Sequence, residues 1–455
     1  MFMSADPKKR FMENESIPRL LARFAAPALV GMLAHALYNI VDRIFVGQVV
    51  GARGIGALVL SFPCMLLFFS VSFLIGVGAA SRISILLGEK RLRRAEQTLG
   101  NAFMMALVAS VLLWVAGRFF FRSILFLSGA SETLYPMAAS YLSIILYGTP
   151  FSVISFSLSC QIRACGSPMY AMGSQLVGAF ANIILDALFV LGFGMGVSGA
   201  AIATVMSQFL SMVWALSYFR RPDAALRLRL PFILRPDLGT LKRIFAVGTP
   251  SCLVNLNFVM VHGMITNMSS HYGGDLAVSA TGIFMSLDSL LFMPAIAISE
   301  ACQPIIGYNY GAGKIGRVIS TVKMGVIACT AFYLLSFTLV MTNAELMAMM
   351  FESSDKDLIH LAATGLRIGN LGIPLMGVSL ICTSFMQGLG RGREGLYLAF
   401  VRIGLFLWTP LLILPRYFGV YGAWGSFPIS DICGSVVAGL FMVHTVKKLR
   451  LSHPS

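Results

Sequence analysis

Gly196-Val197-Ser198-Gly199-Ala200 returns, with one change, as Gly419-Val420-Tyr421-Gly422-Ala423, 223 residues further along the chain. The same offset relates Gly88 to Gly311, Ala57 to Ala280, Gly51 to Gly274 and Pro27 to Pro250. With one inserted residue it also relates Gly148 and Pro150 to Gly372 and Pro374, and Gly166 to Gly390. A single matched glycine or alanine is common in an apolar sequence, but one offset held from residue 27 to residue 423 is not. The chain reads as an internal duplication.

What is duplicated is a set of membrane helices. Of 455 residues, 57% are hydrophobic and 12% charged, against about 45–50% and about 25% in soluble domains. Each apolar run approaches or exceeds the roughly 20 residues that carry a helix across about 30 Å of hydrocarbon. Charge, Gly and Pro punctuate them into twelve expected spans, near 20–47, 55–87, 97–120, 136–159, 170–194 and 199–219, then 243–268, 277–306, 317–342, 360–387, 397–415 and 420–444. The expected fold is an all-α membrane protein of twelve transmembrane helices in two pseudo-symmetric six-helix bundles. Its lobes are 1–221 and 242–455, with a linker at 222–241. Six spans per half make the halves parallel, an arrangement that encloses a central cavity and permits alternating access. The polar N-terminus carries no cleavage site, so the first span is expected to stay.

The net charge of +15 falls between these runs, so it points to loop anchoring and a lipid bilayer rather than to nucleic acid. With both termini cytoplasmic, 27 of the 34 Lys and Arg lie inside; the opposite orientation would invert that bias. The eight cysteines show no CxxC or zinc spacing and read as small core residues. The chain has no GxxxxGK[ST], no HExxH and no nucleophile elbow, so neither a cofactor-bearing enzyme nor an ATP-driven pump is expected. The 26 Met and 34 Phe suit a cavity that adapts to varied apolar cations.

Ionisable groups at membrane depth cost several kcal/mol and call for an explanation. The first half holds Asp42, about 22 residues into span one, and Asp186, about 16 residues into span five; at 1.5 Å per residue both reach the outer half of the bilayer. Asn182 stands one turn before Asp186, and Tyr38 and His35 precede Asp42 at one-turn spacing. Thr204 and Gln208 share a face of span six. These residues meet only if spans one, five and six pack together. Two carboxylates at close range in lipid cannot both stay charged without a cation, and they titrate as a unit. Such a pair accepts a proton or, with Asn182 and Thr204, presents oxygens to Na⁺. The competing reading pairs Asp42 with Arg43, or puts both acids at the water interface. At the 223 offset Asp42 becomes Ile265 and Asp186 becomes Thr409, so the acids are not a requirement of the architecture. The second half has its own polar candidates in Asp288, Glu300, Arg402 and Asp431. Glu300 and Arg402 lie near the cytoplasmic end, where a structural ion pair competes with a transport role. Pro27, in the helix of Asp42, is a candidate for a bend that couples ion binding to movement.

The segments YNIVDRIFVG (38–47), NIILDALFVLGFGMGVSGAAIAT (182–204) and EACQPIIGYNYGAGK (300–314) resemble signature stretches of the MATE (multidrug and toxic compound extrusion) transporters, nearest to the bacterial DinF/MepA-like kind. The resemblance implies an antiporter of the cell (inner) membrane that expels small-molecule organic cations in exchange for H⁺ or Na⁺. It also implies a cation site at Asp42, Asn182, Asp186 and Thr204 and a bending proline at Pro27. The carboxylate that some members keep in the seventh span is missing, since no acid precedes Asp275 there. Thr commonly follows the aspartate of the first span, and Arg43 takes that place here, which weighs against a proton-only mechanism. A monomer is expected. The rival reading is an exporter or flippase of an anionic metabolite or a lipid-linked substrate on the same fold; a cavity rich in Arg would favour it.

Overall fold

A computed structural model describes residues 12–128, 132, 134–351 and 355–452. The basic cluster Lys8-Lys9-Arg10 lies outside them. Among the described residues the chain is helical throughout and has no strand. The first six spans are Ile17–Val50, Ala52–Gly88, Leu92–Phe119, Tyr135–Ala164, Pro168–Asp186 with its continuation to Gly192, and Gly196–Tyr218. Spans seven and eight form one 74-residue run, Leu238–Gly311, broken at Gly274. Span nine is Ile315–Met349. The tenth is two helices, Lys356–Gly369 and Ile373–Gly388, bent by 51°. The eleventh runs from Gly392 to Ile413 and the twelfth from Pro415 to Ser452. The twelve expected spans are all present.

The duplication is visible in the backbone. Gly51 and Gly274 turn the chain between spans with φ of 76° and 63°, and Gly196 and Gly419 do so with 58° each. Only glycine takes such angles without its Cβ meeting the carbonyl, so the repeat keeps glycine at matched corners.

The described chain divides into two compact units. One holds residues 26–256 and the other holds 12–25 with 257–452. The first unit thus includes the beginning of span seven. Gly78 and Gly248 explain how it fits: a Cβ on either would lie about 2 Å from a backbone oxygen, Ile244 O at 2.1 Å and Leu74 O at 1.8 Å. Bare backbones therefore touch where spans two and seven cross, the close approach that small residues give to helices in lipid. Pro27 lies inside the first helix, just after it passes from one unit to the other at residues 25 and 26.

Each unit has an apolar core. In the first, Val46, Phe68, Tyr141, Leu142, Val190 and Ala200 pack together. In the second, Ile265, Phe284, Ala344, Leu366 and Trp424 do the same. The Trp424 indole N–H donates to Thr281 Oγ1 at 3.1 Å, and that hydroxyl also shares a 2.7 Å bond with Ser269. A polar atom held away from water must find a partner of this kind. Large apolar side chains such as Leu112, Phe180, Leu335 and Leu440 point outward, as a surface facing acyl chains requires.

The stretch between the halves is anchored on the third span. A short helix, Leu230–Leu234, sets Phe232 against Gly100, where a Cβ would come within 2.7 Å of it. Arg229 pairs with Glu96 at 2.7 Å, and the Asp237 N–H donates to Asn101 at 2.9 Å.

Candidate functional site

The site is built on the fifth span. Asn182 and Asp186 are one turn apart and fully buried, while Phe180 and Ile184, on the opposite side, are 63% and 66% exposed. The helical period alone therefore turns the polar pair inward. Directly after Asp186 the backbone loosens into a π-helical segment, Ala187–Gly192, a local irregularity that often accompanies functional sites.

The first and sixth spans complete the cluster. Asp42 is buried, and it lies within electrostatic range of Asp186. Asn182 Nδ2 donates to Thr204 Oγ1 at 3.4 Å. Spans one, five and six do pack together as the spacing requires: Gly31 faces Gln175, and Val46 shares a core with Val190 and Val197. Four buried oxygens here, Asp42 Oδ1, Asn182 Oδ1 and both oxygens of Asp186, have no hydrogen-bond partner. Each such atom costs about 1–3 kcal/mol when left unsatisfied. Arg43 does not neutralise the pair by contact: its side chain is exposed, and it reaches Asp42 only through space. The donor set consists of carboxylate, amide and hydroxyl oxygens, which fits a proton or a hard monovalent cation.

Tyr38 lies in range of both Asp42 and Asp186 and touches His35 edge-on at 4.8 Å. His35 in turn stacks on Phe69 at 6.0 Å. Gln208 is half-buried beside Gly148 of the fourth span. Sequence reasoning missed Tyr141. This buried tyrosine of the fourth span lies in range of Thr204 and of both carboxylates. Its signal was available, because a Tyr inside an apolar run must find a polar partner for its hydroxyl.

The second unit arranges its charges differently. Arg402 Nη2 meets Asp431 Oδ1 at 3.2 Å and Met376 Sδ at 3.6 Å. Asp288, half-buried, lies in electrostatic range of both Arg402 and Asp431. Glycines make the room: Gly434 faces the stem of Arg402 and Gly372 faces Asp431. Arg402 therefore pairs with Asp431, across spans eleven and twelve. Glu300 is half-buried elsewhere on the eighth span.

A duplicated bundle of twelve apolar helices, with a buried and unneutralised acid pair in one half, defines a multi-pass membrane transporter. The MatE family model matches residues 27–188 and again 250–409, two segments whose starts are separated by the same 223 residues. The chain belongs to the MatE family. Among curated relatives, the multidrug export protein MepA of Staphylococcus aureus (strain MSSA476) is 24% identical over 443 residues, 97% of each chain. MepA of Staphylococcus haemolyticus is 26% identical over 442 residues, 97% of this chain and 96% of that one. Among solved structures, the MATE multidrug transporter DinF-BH is 33% identical, covers 95% of this chain and 96% of its own, and superposes with a TM-score of 0.87. A MOP superfamily transporter from Pyrococcus furiosus shares the fold at TM-score 0.90 and 22% identity, covering 98% and 100%, and is described as having a binding pocket of reverse polarity and a different function.

Proposed function

We propose that the chain is a secondary antiporter of the cytoplasmic membrane that exports organic cations or drugs in exchange for H⁺ or Na⁺ by alternating access. The observation that carries this reading is the buried acid pair, Asp42 and Asp186, with three carboxylate oxygens that no protein donor satisfies. A proton or Na⁺ relieves that cost, and its departure restores it, so occupancy biases the protein between two states. Asn182, Thr204 and the hydroxyls of Tyr38 and Tyr141 surround the pair and adapt to either occupant, since a hydroxyl both donates and accepts. Asp42 shares its helix with Pro27, whose missing N–H makes a bend there less costly. The relatives named multidrug export proteins support the direction and the breadth of substrate.

The anionic alternative gains little from the second unit. Arg402 is the basic residue that would serve an anion, but Asp431 already pairs with it and Asp288 lies close by. Fold by itself does not decide substrate polarity.

Purified protein in sealed vesicles, loaded with a fluorescent organic cation, tests the reading. An inward gradient of H⁺ or of Na⁺ should drive the dye out, and collapsing that gradient should stop it. Efflux indifferent to both gradients would remove antiport from consideration.

A further inference from the structure

The two halves differ at the cytoplasm-facing loops that join their second and third spans. In the second half that loop leads into Ile315–Met349, and its cations are satisfied from within the chain. Lys314 pairs with Glu13 at 3.0 Å, and Tyr308 donates to the same carboxylate at 2.9 Å. Arg317 donates to Asn309 Oδ1 and to the carbonyls of Met12 and Glu15. In the first half the matching loop, Gly88 to Arg94, leads into Leu92–Phe119. Arg91 and Arg94 stand where the repeat has Lys314 and Arg317.

Among the described residues, no internal carboxylate plays the part of Glu13 there. Glu89 is taken by Arg91 at 3.1 Å and Glu96 by Arg229 at 2.7 Å, while the Asp237 carboxylate accepts from the N–H and hydroxyl of Thr240. Among the described residues, Lys90, Arg93 and Arg94 are exposed and pair with no acid. Arg82 lies in range of Arg243, Arg94 and Arg91, with Glu89 as the one acid opposing them among the described residues. Four cations also sit at the start of a helix whose first turn has unpaired N–H groups and no side-chain cap. A helix dipole disfavours cations at that end and favours anions.

These four cations, with Leu92, Gln97 and Phe232, line an open surface basin of about 720 Å³. Beside it the docked connector exposes Leu230 and Leu234, 64% and 69% accessible, with Leu238 next to them at 71%. Basic groups next to outward leucines suit a surface that meets headgroups and acyl chains together. Lys90 adds a further mark. It is the only non-glycine with positive φ among the described residues, at 61°, where the repeat has Gly313. A side chain in that conformation is strained where glycine would not be.

We propose that this basin binds the headgroup of an anionic phospholipid of the cytoplasmic leaflet, with Lys90, Arg93 and Arg94 and the first turn of the third span on the phosphate and Leu230 and Leu234 against the acyl chains. The site is independent of ion coupling, and it takes from outside the negative charge that Glu13 supplies in the other half.

The test uses full-length protein in neutral detergent, titrated with phosphatidylglycerol and separately with phosphatidylcholine, with bound lipid counted by native mass spectrometry. Phosphatidylglycerol should bind about tenfold tighter, and Lys90→Gln/Arg93→Gln/Arg94→Gln should remove about that factor. Lys447→Gln/Lys448→Gln/Arg450→Gln, which deletes the same charge elsewhere, should change binding less than about twofold. Leu230→Ser/Leu234→Ser should weaken lipid binding too. Equal losses in the two triple variants, no preference between the lipids, or full displacement of phosphatidylglycerol by inorganic phosphate would each overturn the proposal. Should the first triple variant fail to fold, Lys90→Gly alone gives the same reading.

Discussion

The two units solve the problem of intramembrane charge in opposite ways. In residues 26–256 two aspartates lie in electrostatic range of each other with no basic side chain in contact, and three of their carboxylate oxygens are buried without donors. In residues 257–452 two aspartates also come together, but Arg402 stands between the spans and bonds one of them. The first arrangement carries an unsatisfied cost that, under the proposed function, a mobile cation relieves. The second carries its own fixed cation and can rest. On the proposed reading, the duplicated fold places a switch in one copy and a strut in the other, and the 223-residue offset shows that neither is needed for the helices themselves.

The largest expected effect breaks the switch. Asp186→Asn and Asp42→Asn should each abolish gradient-driven efflux while leaving insertion and thermal stability unchanged or improved, because each removes a buried charge that lacks a partner. Vesicle efflux and a melting curve measure both sides. Efflux at the full wild-type rate in either variant would place the coupling ion elsewhere.

Breaking the strut should act on stability instead. Arg402→Met leaves the buried Asp431 and the half-buried Asp288 without their cation and should cost about 3–5 kcal/mol. Removing the second charge as well, in Arg402→Met/Asp431→Leu, should recover most of it, since an apolar pair of similar volume commonly equals a buried ion pair. Thermal unfolding in detergent reads the difference. If the double variant is no more stable than the single one, Arg402 is held by something other than Asp431.

Much of this contrast was legible in the sequence, for a physical reason. Apolar length sets span number, and glycine is compulsory at the matched corners, so the fold could be read from Gly51, Gly196 and their repeats. Asp42, Asn182, Asp186 and Thr204 stood out because charge at membrane depth is rare and helical spacing fixes which residues share a face. The partners did not stand out. Tyr141 looks like any aromatic in an apolar run, and the pairing of Arg402 with Asp431 depends on how spans eleven and twelve cross. The π-helical segments at Ala187–Gly192 and Val401–Trp408 have no compositional mark at all. The docking of 230–234 on Gly100 was equally hidden, because proline and basic residues read as a loose connector.

The smallest effect compares Lys90 with Gly313, the same position in the two copies. Nothing lies within 4 Å of a Cβ built on Gly313, so Gly313→Ala meets no clash and its cost is backbone strain alone, about 1 kcal/mol. Lys90→Gly is the mirror experiment and should raise stability by about 1 kcal/mol or less, the relief being offset by the extra freedom glycine gives the unfolded chain. A protein made more stable by losing a lysine, yet poorer at holding phosphatidylglycerol, would show that the residue is kept for what it binds. Were Lys90→Gly to lower the melting temperature, the lysine would be holding the loop together, and the contrast between the two copies at this corner would be one of packing.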